Sequence, residues 1–213
     1  MKKVFEKYGL VNVLISSACI MVFLLNSILV SKATLLAINE NIAVAYALNF
    51  LAGWEGLLGK WGSMSYAACF ENLQLWRVFT YIYLHAGVIH MAVNLAALLM
   101  VGKYVEKRLG SVVYASVFHV IAIVEALIVT FFYTAGNSVG ASAGIFGIIG
   151  IAFVMCLKKQ LKFQKPEIIC LIVFILLSSV MGTESLVRHL FALALGIIFG
   201  FVVIRNDSPS FVG

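Results

Sequence analysis

A serine, two histidines and an asparagine stand inside stretches apolar enough to be membrane helices: His90-Met-Ala-Val-Asn94 in one, Ser142 in a second and His189 in a third. Polar and ionisable side chains are expensive to place there, so each marks a candidate site whose partner has to be named. A serine hydroxyl becomes a useful nucleophile when a base takes its proton, and histidine is the usual base near neutral pH. Ser142 and His189 are therefore a candidate dyad. Attack on a carbonyl builds an oxyanion that needs donors aimed at it. His90, the Asn94 amide and the first N–H groups of the helix beginning near Ser142, which lack intrahelical partners, would supply them. The chemistry that fits is acyl transfer to water, the hydrolysis of a peptide bond. Taken alone, a membrane serine more often bonds its own helix backbone and a histidine packs at a helix end; the combination carries the reading.

The elements that must position these residues follow from composition. Of 213 residues, 63% are hydrophobic and 11% charged, and the mean hydropathy is +1.07, which excludes a soluble domain. The expected fold is all-α, a polytopic bundle of six transmembrane helices at about 10–30, 83–101, 111–133, 140–157, 168–181 and 187–204, each near the length that crosses a hydrocarbon core of roughly 30 Å. One membrane domain covers 1–213, with a long outer loop at 31–82 and helices two to six at 83–204. Gly-Trp-Glu-Gly at 53–56, Gly-Lys-Trp-Gly at 59–62 and the amphipathic run 66–77 make that loop an interfacial segment. The first span has no convincing small-x-small cleavage site and reads as retained.

Lysine and arginine accumulate on the cytoplasmic side. With both termini inside, only Lys32, Lys60, Arg77 and Arg188 of the 15 basic residues lie outside. The formal charge of +6 is then a topology signal and an attraction to membrane lipid, not a nucleic-acid surface. Cys19, Cys69, Cys156 and Cys170 show no paired or metal-like spacing, so no disulfide, metal or cofactor is expected. Compact size and no transit peptide point to a bacterial plasma membrane.

Spans two, four and six run in the same direction, so His85, His90, Asn94, Ser142 and His189 all lie near the N-terminal ends of their helices and at similar depth. His90 and Asn94, four apart, share a face. Gly140, Gly144 and Gly147 on span four, and Ala192, Gly196 and Gly200 on span six, form smooth faces for close packing. Phe146, one turn below Ser142, is placed to stack on His189.

At these residues the chain resembles the rhomboid family of intramembrane serine proteases. The resemblance runs from Trp76-Arg77 through Leu84-His85, His90-x-x-x-Asn94, the turn Glu106 to Ser111, Gly140-Ala141-Ser142 with Phe146-Gly147, to His189 and Gly196. It implies a Ser142 nucleophile, a His189 general base, His90 and Asn94 at the oxyanion hole, and a water-filled cavity flanked by the outer loop and the fifth helix. Its substrates would be transmembrane-helix proteins, cut near the outer end of the helix. His85 shapes the site by bonding loop backbone, Trp76 and Arg77 anchor the loop, Glu106 and Arg108 form a loop-fixing ion pair, and Glu125 makes a helix-to-helix bond or faces the lumen. Three positions depart from the family pattern. Ala143 and Ala192 replace glycines, which predicts a somewhat wider helix separation. Arg188 stands where a small residue is usual; it sets a cation beside His189 that would disfavour its protonation, an effect that is small only if the side chain snorkels outward. The competing reading is a catalytically inactive rhomboid-like protein that binds membrane helices without cutting. A transporter would show inverted repeats, and the sequence has none.

Overall fold

The computed structural model describes residues 2–53, 55–179 and 183–205. Every apolar stretch among them is helical. A short helix α1 (Lys2–Tyr8) precedes α2 (Leu10–Ile28), and the expected outer loop then folds as α3 (Lys32–Ile38), α4 (Ile42–Ala52), α5 (Leu57–Gly62) and α6 (Arg77–Thr80). The rest of the chain is α7 (Gly87–Leu109), α8 (Ser111–Phe132), α9 (Ser142–Leu157), α10 (Lys165–Ser179) and α11 (Thr183–Val203). Among the described residues a helix covers most of each of the six expected spans. α2, α7, α8 and α11 are long and apolar enough to cross a membrane, whereas α9 and α10 have 16 and 15 residues.

The boundaries differ where local chemistry outweighs hydropathy. The second span was expected at 83–101, but Tyr83 closes a short 3-10 turn, Leu84 is extended, and α7 starts at Gly87. It continues eight residues beyond Val101 because its polar end is used. Lys103 pairs with Glu167 of α10 at 3.0 Å, and the buried Glu106 accepts the Val11 and Asn12 N–H groups at 2.9 Å and the Ser111 hydroxyl at 2.6 Å. Glu106 thus satisfies orphan N–H groups at the start of α2. The expected Glu106–Arg108 ion pair is replaced by this cap, and Arg108 Nε donates to Gln160 instead. Gly110, at φ +79°, makes the turn into α8 that a side chain would resist. The expected end of the fifth span, Met181, and Trp54 of the 53–56 motif lie outside the described residues.

The outer loop is more ordered than an interfacial tether. α3 and α4 meet at 84° and together are apolar enough to form a bent span. The loop is fastened by Arg77, whose guanidinium donates to the Ser63 and Lys60 carbonyls and to the Gln74 side chain. Trp76 stacks on Trp61 at 5.1 Å and donates its indole N–H to the Trp61 carbonyl.

The core forms around α9, with Ile145, Ile148, Ile151 and Met155 fully buried against α7, α8 and α11. α9 and α11 touch backbone to backbone: a methyl group at Gly196 would overlap the Gly147 carbonyl, and one at Gly150 would meet the Leu193 carbonyl. The wider separation expected from Ala192 is absent at this level, and the Ala192 methyl is fully buried. Gly144 serves another helix, since its missing side chain admits the Phe118 ring of α8. Along α10, by contrast, Phe174 is the one buried side chain among those described.

Candidate active site

Ser142 is the first residue of α9, and the loop before it is held at two points. Met64 and Ser138 exchange backbone hydrogen bonds at 3.0 and 2.7 Å, and the Gly140 N–H donates to the Tyr81 carbonyl at 2.9 Å. Gly140 has φ +128°, which a side chain rarely adopts, and a methyl there would press on the His90 ring. The glycine therefore lets His90 approach the serine.

The Ser142 Oγ lies 3.1 Å from His189 Nε2, within the range for a nucleophile bonded to its base. Phe146 stacks on the His189 imidazole, centroids 4.3 Å apart and 13° from parallel. Among the described residues His189 Nδ1 is buried with no hydrogen-bond partner, and none of their carboxylates orients this imidazole as a third member of a triad would. Its direction comes from Phe146 and from the placing of α11.

His90 accepts the Ala86 N–H on Nδ1 at 3.2 Å. An acceptor at Nδ1 in neutral imidazole leaves the hydrogen on Nε2, the atom that faces Gly140. Asn94 is one turn deeper, 1% exposed, with its amide nitrogen donating to the His90 carbonyl at 2.8 Å. His85 is buried with its ring edge against His90 at 5.2 Å. It interacts with the Tyr83 backbone in the turn before α7, short of ordinary hydrogen-bond geometry.

Ser142, His90 and His189 line a cavity of about 610 Å³ at the end of the bundle where α7, α9 and α11 begin. Gly140 lines it too, while Asn94, His85, Phe146, Gly144 and Gly196 stand behind the wall. Tyr81, Glu125, Glu184 and Arg188 also line the cavity, and of these the sequence reading placed only Glu125 as a candidate for the lumen. Arg188 does not snorkel. It is 9% exposed and donates to Glu125 at 3.0 Å, Thr130 at 2.9 Å and Glu184 at 3.0 and 3.1 Å. Glu125 makes a helix-to-helix bond, as expected, with its charge paired to that of Arg188. The i, i+4 spacing of Glu184 and Arg188 was the available signal.

Comparison with known proteins identifies the family. The rhomboid domain family model matches residues 72–206. The Rhomboid-like protease 3 of Toxoplasma gondii is 36% identical over 114 residues, covering 51% of this chain and 43% of that protein. The Rhomboid protease GluP of Bacillus subtilis is 33% identical over 138 residues, 65% of this chain and 24% of GluP. The Inactive RHOMBOID-like protein 8 of Arabidopsis thaliana is 32% identical over 107 residues, 50% of this chain and 30% of that protein. The chain thus spans less than half the length of these curated relatives. Another plant relative is named mitochondrial, so the similarity is not particular to bacteria. The matched segment runs from just before Trp76-Arg77 to the end of α11 and holds every residue of the cavity described above except Leu51 and Ala52. With its apolar helices and its motifs in the family's order, the chain is a multi-pass membrane protein that belongs to the rhomboid family.

Proposed function

We propose that this chain is an intramembrane serine endopeptidase that hydrolyses a peptide bond in or beside the transmembrane helix of another membrane protein. The observation that carries the reading is the 3.1 Å approach of Ser142 Oγ to His189 Nε2 inside a cavity.

His189 Nε2 takes the hydroxyl proton as Ser142 Oγ attacks the substrate carbonyl carbon. The oxyanion accepts from His90 Nε2–H and from the unpartnered N–H groups at the start of α9. Asn94, behind the cavity wall, holds the His90 backbone through its amide and so helps to place that donor. The imidazolium then protonates the leaving amine as the C–N bond breaks, which leaves an acyl ester on Ser142. Water, deprotonated by His189, hydrolyses the ester and regenerates the serine. Because a helical peptide bond is shielded by its own hydrogen bonding, the preferred substrates carry glycine or proline near the cut. The basic residues support cytoplasmic termini, with the cavity toward the other side of the membrane.

The test is labelling of the detergent-purified protein with a fluorophosphonate probe. Labelling of wild type that disappears in Ser142→Ala and His189→Ala is expected. A folded wild type that stays unlabelled would favour the second reading, a membrane-helix binder without cleavage, which draws its support from the similarity to a relative named inactive.

A further inference from the structure

The base of the dyad has no acid partner among the described residues, yet the residue before it carries the most heavily bonded side chain on the cavity wall. Arg188 reaches across to α8, where its Nη1 donates to Glu125 and its Nη2 to Thr130. The other carboxylate oxygen of Glu125 faces the Tyr81 hydroxyl at 3.3 Å, and that hydroxyl also donates to the Ala122 carbonyl at 2.8 Å. Tyr81 in turn accepts the Gly140 N–H on its carbonyl, two residues before Ser142. The contacts close a ring that runs from Ser142 through Gly140, Tyr81, Glu125 and Arg188 to His189.

Geometry makes the ring consequential. The lower part of α11 is fixed on α9 by the contact at Gly147 and Gly196, but His189 lies seven residues nearer the start of α11. A small rotation of that end about the glycine contact would swing the imidazole away from Oγ. A planar guanidinium with fixed donors resists such a rotation in a way a lysine cannot. We propose that Arg188, held by Glu125, is a positioning residue that sets the register of His189 against Ser142 and so takes the place of the missing third member. The inference rests on the dyad assignment above.

The clamp acts on the rate of the bonded pair, not on ligand affinity. Saturation labelling with the fluorophosphonate probe separates the maximal labelling rate from the half-saturating probe concentration, and the thermal midpoint reports folding. In Arg188→Met the maximal rate is expected to fall about thirtyfold, within the cost of an ångström-scale misplacement, with half-saturation unchanged. Arg188→Lys should recover part of that loss. Glu125→Gln, which keeps the shape of the side chain, should fall about tenfold, and the double variant Glu125→Gln/Arg188→Met should be no slower than Arg188→Met, because both act through one contact. A changed half-saturation would make Arg188 a contact of the bound molecule and overturn the proposal. A lowered thermal midpoint with the folded fraction labelling at the wild-type rate would overturn it as well. If wild type itself does not label, the dyad assignment fails first, an outcome distinct from variants that match a reactive wild type.

Discussion

Phe146 and His189 lie face to face, ring centroids 4.3 Å apart, and Phe146 meets Phe174 of α10 at 5.1 Å on its way out of the core. One aromatic ring therefore supports the base and also provides the contact of α10 with the core around α9. Phe146→Ala should lower the Ser142 labelling rate roughly tenfold, the equivalent of a stacking contact of about 1.4 kcal/mol. Phe146→Tyr keeps the ring and should stay within about twofold. Labelling rates of the purified variants check both.

Gly196 leaves no room for a side chain against Gly147. Gly196→Ala must part α9 from α11, and should destabilise the protein by about 1–3 kcal/mol while pulling His189 off the serine. Ala192→Gly, one turn nearer the dyad, should cost only about 1 kcal/mol of helix propensity and keep labelling. Thermal melts in detergent, paired with probe labelling, distinguish the two.

Arg77 is the knot of the outer loop. Arg77→Ala strands the Ser63 and Lys60 carbonyls and should cost about 2–4 kcal/mol. Limited proteolysis is expected to gain a cut between 53 and 76, while the helices beyond α7 stay intact.

Glu106→Ala removes the acceptor for the first N–H groups of α2 and should lower stability by about 1–2 kcal/mol. Since Glu106 sits at the far end of α7 from His90, the labelling rate of the folded protein should not change.

Burial pushes the Cys69 thiol up from its ordinary value. The reactive form is the thiolate, so in a protein with the other three cysteines replaced by alanine, maleimide should react slowly at pH 7. The rate should then climb as pH rises through the raised value. Fast reaction at pH 7 in folded protein would contradict the packed loop.

The residues of the proposed dyad stood out in the sequence because a membrane makes polar side chains conspicuous and because the order of the spans puts them at the same ends of their helices. His90, Ser142 and His189 do meet in one cavity. The Phe146 stack was readable from helical periodicity, one turn from the serine. The pairing of Arg188 was not legible for the converse reason: its counter-charge Glu125 is 63 residues away on another helix, and no period in the sequence joins them. Glu106 shows the same limit, since its partners, the first N–H groups of α2, are backbone atoms that leave no mark in residue identity. The start of α7 was placed too early because Tyr83 and Leu84 are apolar, although their backbone is already spent on the turn that carries Tyr81 and His85.

The 16 residues of α9 measure about 24 Å at 1.5 Å each, several ångströms less than a hydrocarbon core of about 30 Å. Ser142 begins that helix, so with the far end of α9 at one boundary the hydroxyl would lie below the other by the missing length. Adding one residue ahead of Gly147 would lift the serine by about 1.5 Å and turn it by about 100°, away from the imidazole. The helix thus works as a ruler as well as a wall: depth and aim are one quantity in this molecule, and insertions or deletions in the first turn of α9 should be far less tolerated than substitutions there.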